Sequence, residues 1–131
     1  MDKQELINYW IETSNEDFNT MLHLFESNDY HWSLFMGHLV IEKLLKAVYI
    51  LNVNSNVPKI HDLLRLAEKA NLTLTDEIQD QLDTITTFNI SARYPDYKKS
   101  FYKKCTYEFT SLNIEKIKEL RQWILSLLTV K

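Results

Sequence analysis

Glycine and proline are scarce in this sequence: one glycine and two prolines occur among 131 residues. Sheet proteins need turn residues about every ten positions, so this scarcity favours long helices joined by few turns. Because Gly37 is the only glycine, a glycine-rich phosphate-binding loop is excluded. Cys105 is the only cysteine, which excludes an internal disulfide, favours a reducing compartment and predicts a small buried thiol.

A long uninterrupted apolar run is also missing. The most hydrophobic stretch, residues 32–51, is broken by His38, Glu42, Lys43 and Lys46, which makes it a poor membrane span. The first ten residues lack the basic start and the apolar run of a secretion signal. We therefore expect a cytoplasmic protein whose residues 1–131 form a single domain.

Positive charge is not in excess, since the net charge is −3, and the total by itself suggests no nucleic-acid partner. The distribution is more informative than the total. Residues 1–30 carry seven acidic side chains and one lysine, whereas residues 93–104 carry five cationic side chains and one aspartate. Such asymmetry produces local electric fields even when the total charge is near zero.

Residues 32–51 predict a helix that is apolar on nearly every side. A helix of this kind is buried by neighbours on several faces, so we expect it to be the central helix of a small bundle. Its charged side chains lie in one narrow seam. His38, Glu42 and Lys46 follow one another at intervals of four residues, and Lys43 lies beside them.

The remaining chain predicts further helices with clear start signals. Thr73 or Thr75 is a plausible N-cap for the fourth helix and Thr106 for the last one. Pro95 disfavours helix at Tyr94, so the residues around it are expected to be irregular. The fold prediction is an all-α, five-helix up-and-down bundle, four long helices plus a short inserted one, with helices at 2–26, 32–51, about 61–71, about 75–88 and 107–129 and an irregular segment at 89–105.

The segment 92–104 alternates cations with aromatic side chains, from Arg93 and Tyr94 to Lys103 and Lys104. Cations neutralise phosphates, and aromatic faces stack on bases without regard to sequence. The segment is interpreted either as a contact surface for nucleotide or RNA, or as a solvated basic loop whose tyrosines pack back onto the bundle.

The polar seam of the central helix also has more than one interpretation. Glu42 and Lys46 form a helix ion pair if exposed, whereas in a buried setting they mark a site or a subunit contact. The spacing of His38 and Glu42 permits a metal, but no second His or Cys cluster supports one, so we expect neither metal nor cofactor. His61-Asp62 at the start of the third helix is interpreted as a cap rather than a catalytic pair, and His31 as a surface or boundary residue.

Several of these residues recur in a familiar order: Trp10, Glu16-Asp17, Tyr30, Phe35, His38, Glu42-Lys43-x-x-Lys46-Ala47, His61-Asp62-Leu63 and Ala92-Arg93-Tyr94-Pro95-Asp96. In this order the chain resembles a HEPN domain (higher eukaryotes and prokaryotes nucleotide-binding) of the small stand-alone prokaryotic kind. The resemblance implies a five-helix bundle and a homodimer. It also implies pairing with a minimal nucleotidyltransferase in a toxin–antitoxin-like system.

Many HEPN relatives are metal-independent ribonucleases that use an Arg and a His separated by four to six residues, with two subunits completing one site. In this sequence Lys98, Lys99 and Ser100 occupy the positions where that His would follow Arg93, and no His follows later. An imidazole that titrates near neutrality is what general acid–base cleavage of RNA uses. We therefore predict no catalytic residues.

The leading hypothesis is a non-catalytic HEPN protein that binds a nucleotide or nucleic-acid phosphate. Arg93 and the lysines contact phosphate, Tyr94 or Tyr97 stacks on a base or fixes the loop, and Asp96 orients Arg93 through an ion pair. The predicted binding residues are Arg93, Tyr94, Asp96, Lys98, Lys99, Lys43 and Lys46, supported by His38, Glu42 and His61. Two alternatives remain: a toxin ribonuclease with a divergent site that uses Arg93 with His61 or His38 as base, and a purely structural bundle that sequesters a partner.

Overall fold

A computed structural model describes residues 1–129, which form six helices. They are α1 (Lys3–Glu26), α2 (Tyr30–Asn52), α3 (Leu63–Lys69), α4 (Asp76–Arg93), α5 (Pro95–Lys104) and α6 (Tyr107–Leu128). Residues 1–129 contain no strand, which confirms the all-helical prediction. None of the described helices combines the length and hydrophobicity that a membrane span requires.

The predicted count of five helices is wrong because residues 89–105 are not irregular. α4 continues through Asn89 to Arg93, and α5 begins after Tyr94 alone. Tyr94 has φ −87° and ψ 130°, the extended geometry expected before proline. Pro95 then takes the first helical position, where its missing N–H is not needed. The proline therefore marks a corner between two helices.

α2 is the central helix, as the sequence predicts, and it packs against α1, α3, α4 and α6. Thirteen of its 23 residues are buried, and they lie on more than one face of the helix. The close approach of α6 requires Gly37. A Cβ at this position would overlap the side chain of Ile117 and lie 3.2 Å from the sulfur of Met21.

Helix starts follow the sequence signals closely. Asp2 caps α1, Asp62 caps α3, Thr75 caps α4 and Thr106 caps α6, each accepting a backbone N–H bond three residues further on. Asp29 occupies the N-cap position of α2, but its side chain makes no capping bond. The start of α2 therefore depends on burial of its apolar faces rather than on a side-chain cap.

Two buried serines connect α1 to α2. The hydroxyl of Ser14 in α1 donates to the carbonyl of Val40 in α2 at 2.9 Å. The hydroxyl of Ser33 in α2 donates to the carbonyl of Met21 in α1 at 2.8 Å. Because the two bonds run in opposite directions between the helices, they fix the axial position of one helix against the other.

Candidate functional site

The polar seam of α2 forms a buried network centred on Glu42, whose side chain is 5% exposed. One carboxylate oxygen accepts a hydrogen bond from Nδ1 of His61 at 2.9 Å, and the other accepts from Nζ of Lys46 at 3.0 Å. His38 donates from Nε2 to the carbonyl oxygen of His61 at 3.0 Å. The loop before α3 is therefore tied to α2 through both the ring and the backbone of His61.

The network fixes the charge of its buried members. Burial alone would raise the pKa of Glu42, but the hydrogen bonds from His61 and Lys46 overcome it, so the pKa is lowered and the carboxylate is ionised at neutral pH. Burial lowers the pKa of His38, and the His61 carbonyl and the Glu42 carboxylate oppose this only in part. His38 is thus neutral, with its proton on Nε2, and its buried Nδ1 has no hydrogen-bond partner among the described residues.

His61 is the exposed member of the network, with 64% of its side chain accessible. Because Nδ1 is held by Glu42, Nε2 is the nitrogen left for solvent. The prediction that His61-Asp62 caps the third helix is confirmed for Asp62, which caps α3, whereas the ring of His61 bonds to Glu42 instead. Sequence reasoning did not pair His61 with Glu42, because 19 residues separate them and only tertiary folding brings them together.

Arg93, at the end of α4, is oriented by a residue one turn earlier in the same helix. Its Nε donates to both the backbone and side-chain oxygens of Asn89, each at 3.1 Å. Its guanidinium carbon lies 5.7 Å from the ring centre of Phe35 and 5.2 Å from that of Tyr94. The expected ion pair with Asp96 is not found in the described part of the chain, so Asn89 takes the orienting role.

The predicted lysines divide into two groups. Lys43 pairs with Asp17 of α1 at 2.6 Å, and Lys46 pairs with Glu42 at 3.0 Å, so a carboxylate neutralises each. Lys98 and Lys99 on α5 are exposed, and neither has a carboxylate within ion-pair distance among residues 1–129.

Two contacting aromatic rings bring Arg93 and one of these lysines to the same side of α2. Nζ of Lys98 lies 4.9 Å from the ring centre of Trp32. The rings of Trp32 and Phe35 meet edge to face at 5.7 Å, and Arg93 covers Phe35. The structure thus assembles Arg93 and Lys98 over an aromatic surface and leaves Lys43 and Lys46 in separate ion pairs.

Metal binding and thiol chemistry have little support at these positions. Within residues 1–129 no group of three or more His, Cys, Asp and Glu side chains has an arrangement suited to a metal ion. Cys105 is buried, and burial raises the pKa of its thiol to about 11. The prediction of a small buried thiol is confirmed, and its raised pKa makes it a poor nucleophile at neutral pH.

Comparison with known proteins agrees with this architecture. A family model described as HEPN domain matches residues 7–127. The fold is similar to that of TT1696 from Thermus thermophilus, whose crystal structure aligns with a TM-score of 0.74 and 19% sequence identity over 93% of this chain and 94% of that chain. At this identity the similarity concerns the fold alone. No curated protein matches the chain significantly.

Proposed function

The chain belongs to the HEPN domain family, and from this premise we propose that it is a non-catalytic member that binds the phosphate of a nucleotide or nucleic acid. Arg93, Lys98 and Lys99 contact the phosphate. The protein acts as a homodimer and pairs with a minimal nucleotidyltransferase in a toxin–antitoxin-like system, as the family resemblance implies.

The observation that carries the phosphate proposal is the way Arg93 is held. Its Nε is occupied by the two oxygens of Asn89, while its two terminal nitrogens have no hydrogen-bond partner among residues 1–129. The flat guanidinium lies near the faces of Phe35 and Tyr94. An arginine restrained in this way presents a pre-oriented pair of donors, which suits the two-oxygen geometry of phosphate.

The homodimer proposal rests on the one partly exposed strip of α2. Trp32, Phe35, Met36 and Leu39 are spaced at i, i+3, i+4 and i+7, and all are only partly buried. Next to this strip, Lys43 pairs with Asp17 of the acid-rich α1, and Lys98 of the basic α5 lies over Trp32. A second copy related by a two-fold axis would cover the strip and bring acidic and basic borders together.

Two variants test the dimer. Leu39→Glu is expected to shift the protein from dimer to monomer in analytical ultracentrifugation, because it places a charge in the proposed contact. Leu112→Glu is the matched control, since Leu112 lies on α6 and is 56% exposed. A monomeric wild type, or dissociation by both variants alike, would contradict the proposed face. Co-expression with a minimal nucleotidyltransferase, followed by co-purification, tests the proposed hetero-partner.

Phosphate binding is tested by fluorescence anisotropy with a labelled single-stranded RNA at several salt concentrations. Three phosphate contacts give a slope of about −2 for log K against log salt, and Arg93→Gln should reduce its magnitude by about 0.7. Arg65→Gln is the control, because Arg65 is exposed on α3, where it lines a surface depression that contains none of the proposed phosphate-binding residues. Undetectable or salt-insensitive binding by the wild type would contradict the proposal and leave the partner-sequestering role.

A second candidate function, RNA cleavage, is favoured by one observation. Glu42 orients His61 through Nδ1 and leaves Nε2 accessible, which is the arrangement of a general base. Arg93 lies close enough to His38 to affect its charge, and His38 contacts the backbone of His61. His38 is thus subject to the positive charge of Arg93 and contacts the loop that carries the oriented imidazole, although the chain lacks the spaced Arg–His motif.

Incubation of RNA with the protein in EDTA separates the two functions. The leading proposal expects no cleavage above the buffer rate. Cleavage that His61→Gln abolishes and His23→Gln leaves unchanged would establish the ribonuclease instead, because His23 is an exposed histidine of α1 away from the network.

A further inference from the structure

A separate surface depression lies between the first turn of α2 and the outer side of α5. It has a volume of about 490 Å³ and is lined by His31, Pro95, Lys98, Lys99 and Tyr102. This volume is within the range of about 300–1,000 Å³ typical of small-molecule sites. His31 and Tyr102 contribute aromatic rings to the lining and Pro95 contributes its aliphatic ring, while the two lysines line the depression mainly with their aliphatic stems.

His31 provides the rigid wall of this depression. It is 8% exposed, so the expectation of a surface or boundary position is wrong. Its ring meets that of Tyr102 edge to face at 5.3 Å and lies 5.1 Å from the ring of Trp32. Burial, and then the charge of Lys98, lower the pKa of His31, so the imidazole is neutral at pH 7 and presents an aromatic surface rather than a cation.

The two lysines add positive charge at the edge of this aromatic surface. Lys98 and Lys99 follow one another on α5 and have no carboxylate within ion-pair distance in the described residues. A ring surface beside two unneutralised ammonium groups matches a ligand with a flat, uncharged end and an anionic end. A nucleobase joined to a phosphate has that chemistry.

A neighbouring depression of about 310 Å³ shares His31 and Tyr102 and adds Lys103 to its lining. The His31–Tyr102 pair thus separates two adjoining depressions, each with at least one lysine. Consecutive residues of a single strand would require such a repeated arrangement, whereas a free nucleotide would need only one of them.

We propose that the depression between α2 and α5 binds a nucleoside monophosphate unit, its base against His31 and Tyr102 and its phosphate between Lys98 and Lys99. The inference rests on the proposed function, because the lysines are shared, and it adds a base pocket in which Arg93 takes no part. The unit is either a free nucleotide or an unpaired residue of single-stranded RNA, since both present the same chemistry.

NMR of the His31 ring in the full chain tests this site, with AMP, adenosine, ribose 5-phosphate and a single-stranded pentanucleotide as ligands. AMP is expected to shift the His31 signals and to bind more tightly than adenosine or ribose 5-phosphate. Tyr102→Leu should weaken AMP binding about 5- to 150-fold, the range measured for loss of one base-stacking side chain. Tyr102 is 63% exposed, so its replacement leaves the core unchanged.

Tyr9→Leu is the matched control. Tyr9 is an exposed tyrosine of α1, 45% accessible, and it does not line either of the two adjoining depressions. Its replacement should leave AMP affinity within about twofold, as for most surface substitutions. Equal weakening by both variants, unchanged His31 signals, or ribose 5-phosphate binding as tightly as AMP would overturn the base pocket.

The ligands also separate the two sources of the nucleotide. Pentanucleotide binding at least about tenfold tighter than AMP, with the same His31 shifts, assigns the site to single-stranded RNA, and equal affinities assign it to a free nucleotide. If RNA binding depends on Arg93 while Tyr102→Leu has no effect, the base pocket fails and the proposed function stands. If Tyr102→Leu weakens AMP binding while Arg93→Gln has no effect on RNA, the role of Arg93 fails instead.

Discussion

Replacement of Glu42 by glutamine tests whether the polar network on α2 stabilises the fold. Glutamine keeps the shape of the side chain but removes the charge that accepts hydrogen bonds from Lys46 and His61. The side chain of Lys46 is 12% exposed, so its ammonium group would lose its carboxylate while remaining largely away from water. The cost therefore comes mainly from Lys46.

The magnitude follows from the burial of each partner. Breaking a buried ion pair by removing one member costs about 3–5 kcal/mol, and a single hydrogen bond to a charged group contributes about 1.5–3 kcal/mol. The His61 contact adds little because that ring is 64% exposed, and Lys46 can extend towards water along Trp10. We expect a loss of about 2–4 kcal/mol, which lowers Tm by about 7–15 °C for a chain of this length.

Urea unfolding at pH 7, followed by circular dichroism, measures this loss. Glu115→Gln is the control, because its carboxylate lies 3.2 Å from Lys118 but is 63% exposed, and its loss should cost less than about 0.5 kcal/mol. Because the pKa of Glu42 is lowered in the fold, the gap between wild type and variant should be complete above about pH 4.5 and should close as the pH falls through the lower folded-state value. A loss no larger than that of the control would show that the network does not stabilise the fold.

Two further predictions concern stability. Burial lowers the pKa of His31 and His38, so below about pH 6.5 the unfolded chain binds more protons than the folded chain. The free energy of unfolding should therefore decrease as the pH is lowered, by up to about 1.4 kcal/mol per pH unit for each histidine. Urea unfolding between pH 7.5 and 5.5 measures this, and a flat profile would contradict it. Gly37→Ala should cost about 1–2 kcal/mol despite its better helix propensity, because the new methyl overlaps Ile117. Adding Ile117→Val should restore most of that loss, although alone it costs about 0.5–1.5 kcal/mol; additive losses in thermal unfolding would rule out the overlap.

The long helices were predictable because their signals are local. The apolar stretch 32–51 lies within α2, and Thr75 and Thr106 mark the starts of α4 and α6. α5 is hard to predict because it is strongly polar and Phe101 is its only buried residue, so few apolar side chains mark the face that packs on the bundle. Proline breaks a helix in its interior, but at the first helical position it is compatible with a new helix.

In the candidate site, contacts within one helix follow from residue spacing, whereas contacts between different elements do not. The Glu42–Lys46 pair follows from a spacing of four residues, and the Asn89–Arg93 contact has the same spacing within α4. The Glu42–His61 bond and the burial of His31 depend on how loops and helices meet in three dimensions. Asp96 does not reach Arg93 because the corner at Tyr94 places it at the start of a different helix.

The opposed serine bonds between α1 and α2 have a consequence for the order of events during synthesis. The hydroxyls of Ser14 and Ser33 each donate to a backbone carbonyl of the other helix, so a slip of one turn would leave both hydroxyls buried and unpaired. All of these groups lie within the first 52 residues, and contacts this near in sequence form quickly. We expect the nascent chain to dock this helical hairpin, in register, while α6 is still inside the ribosome.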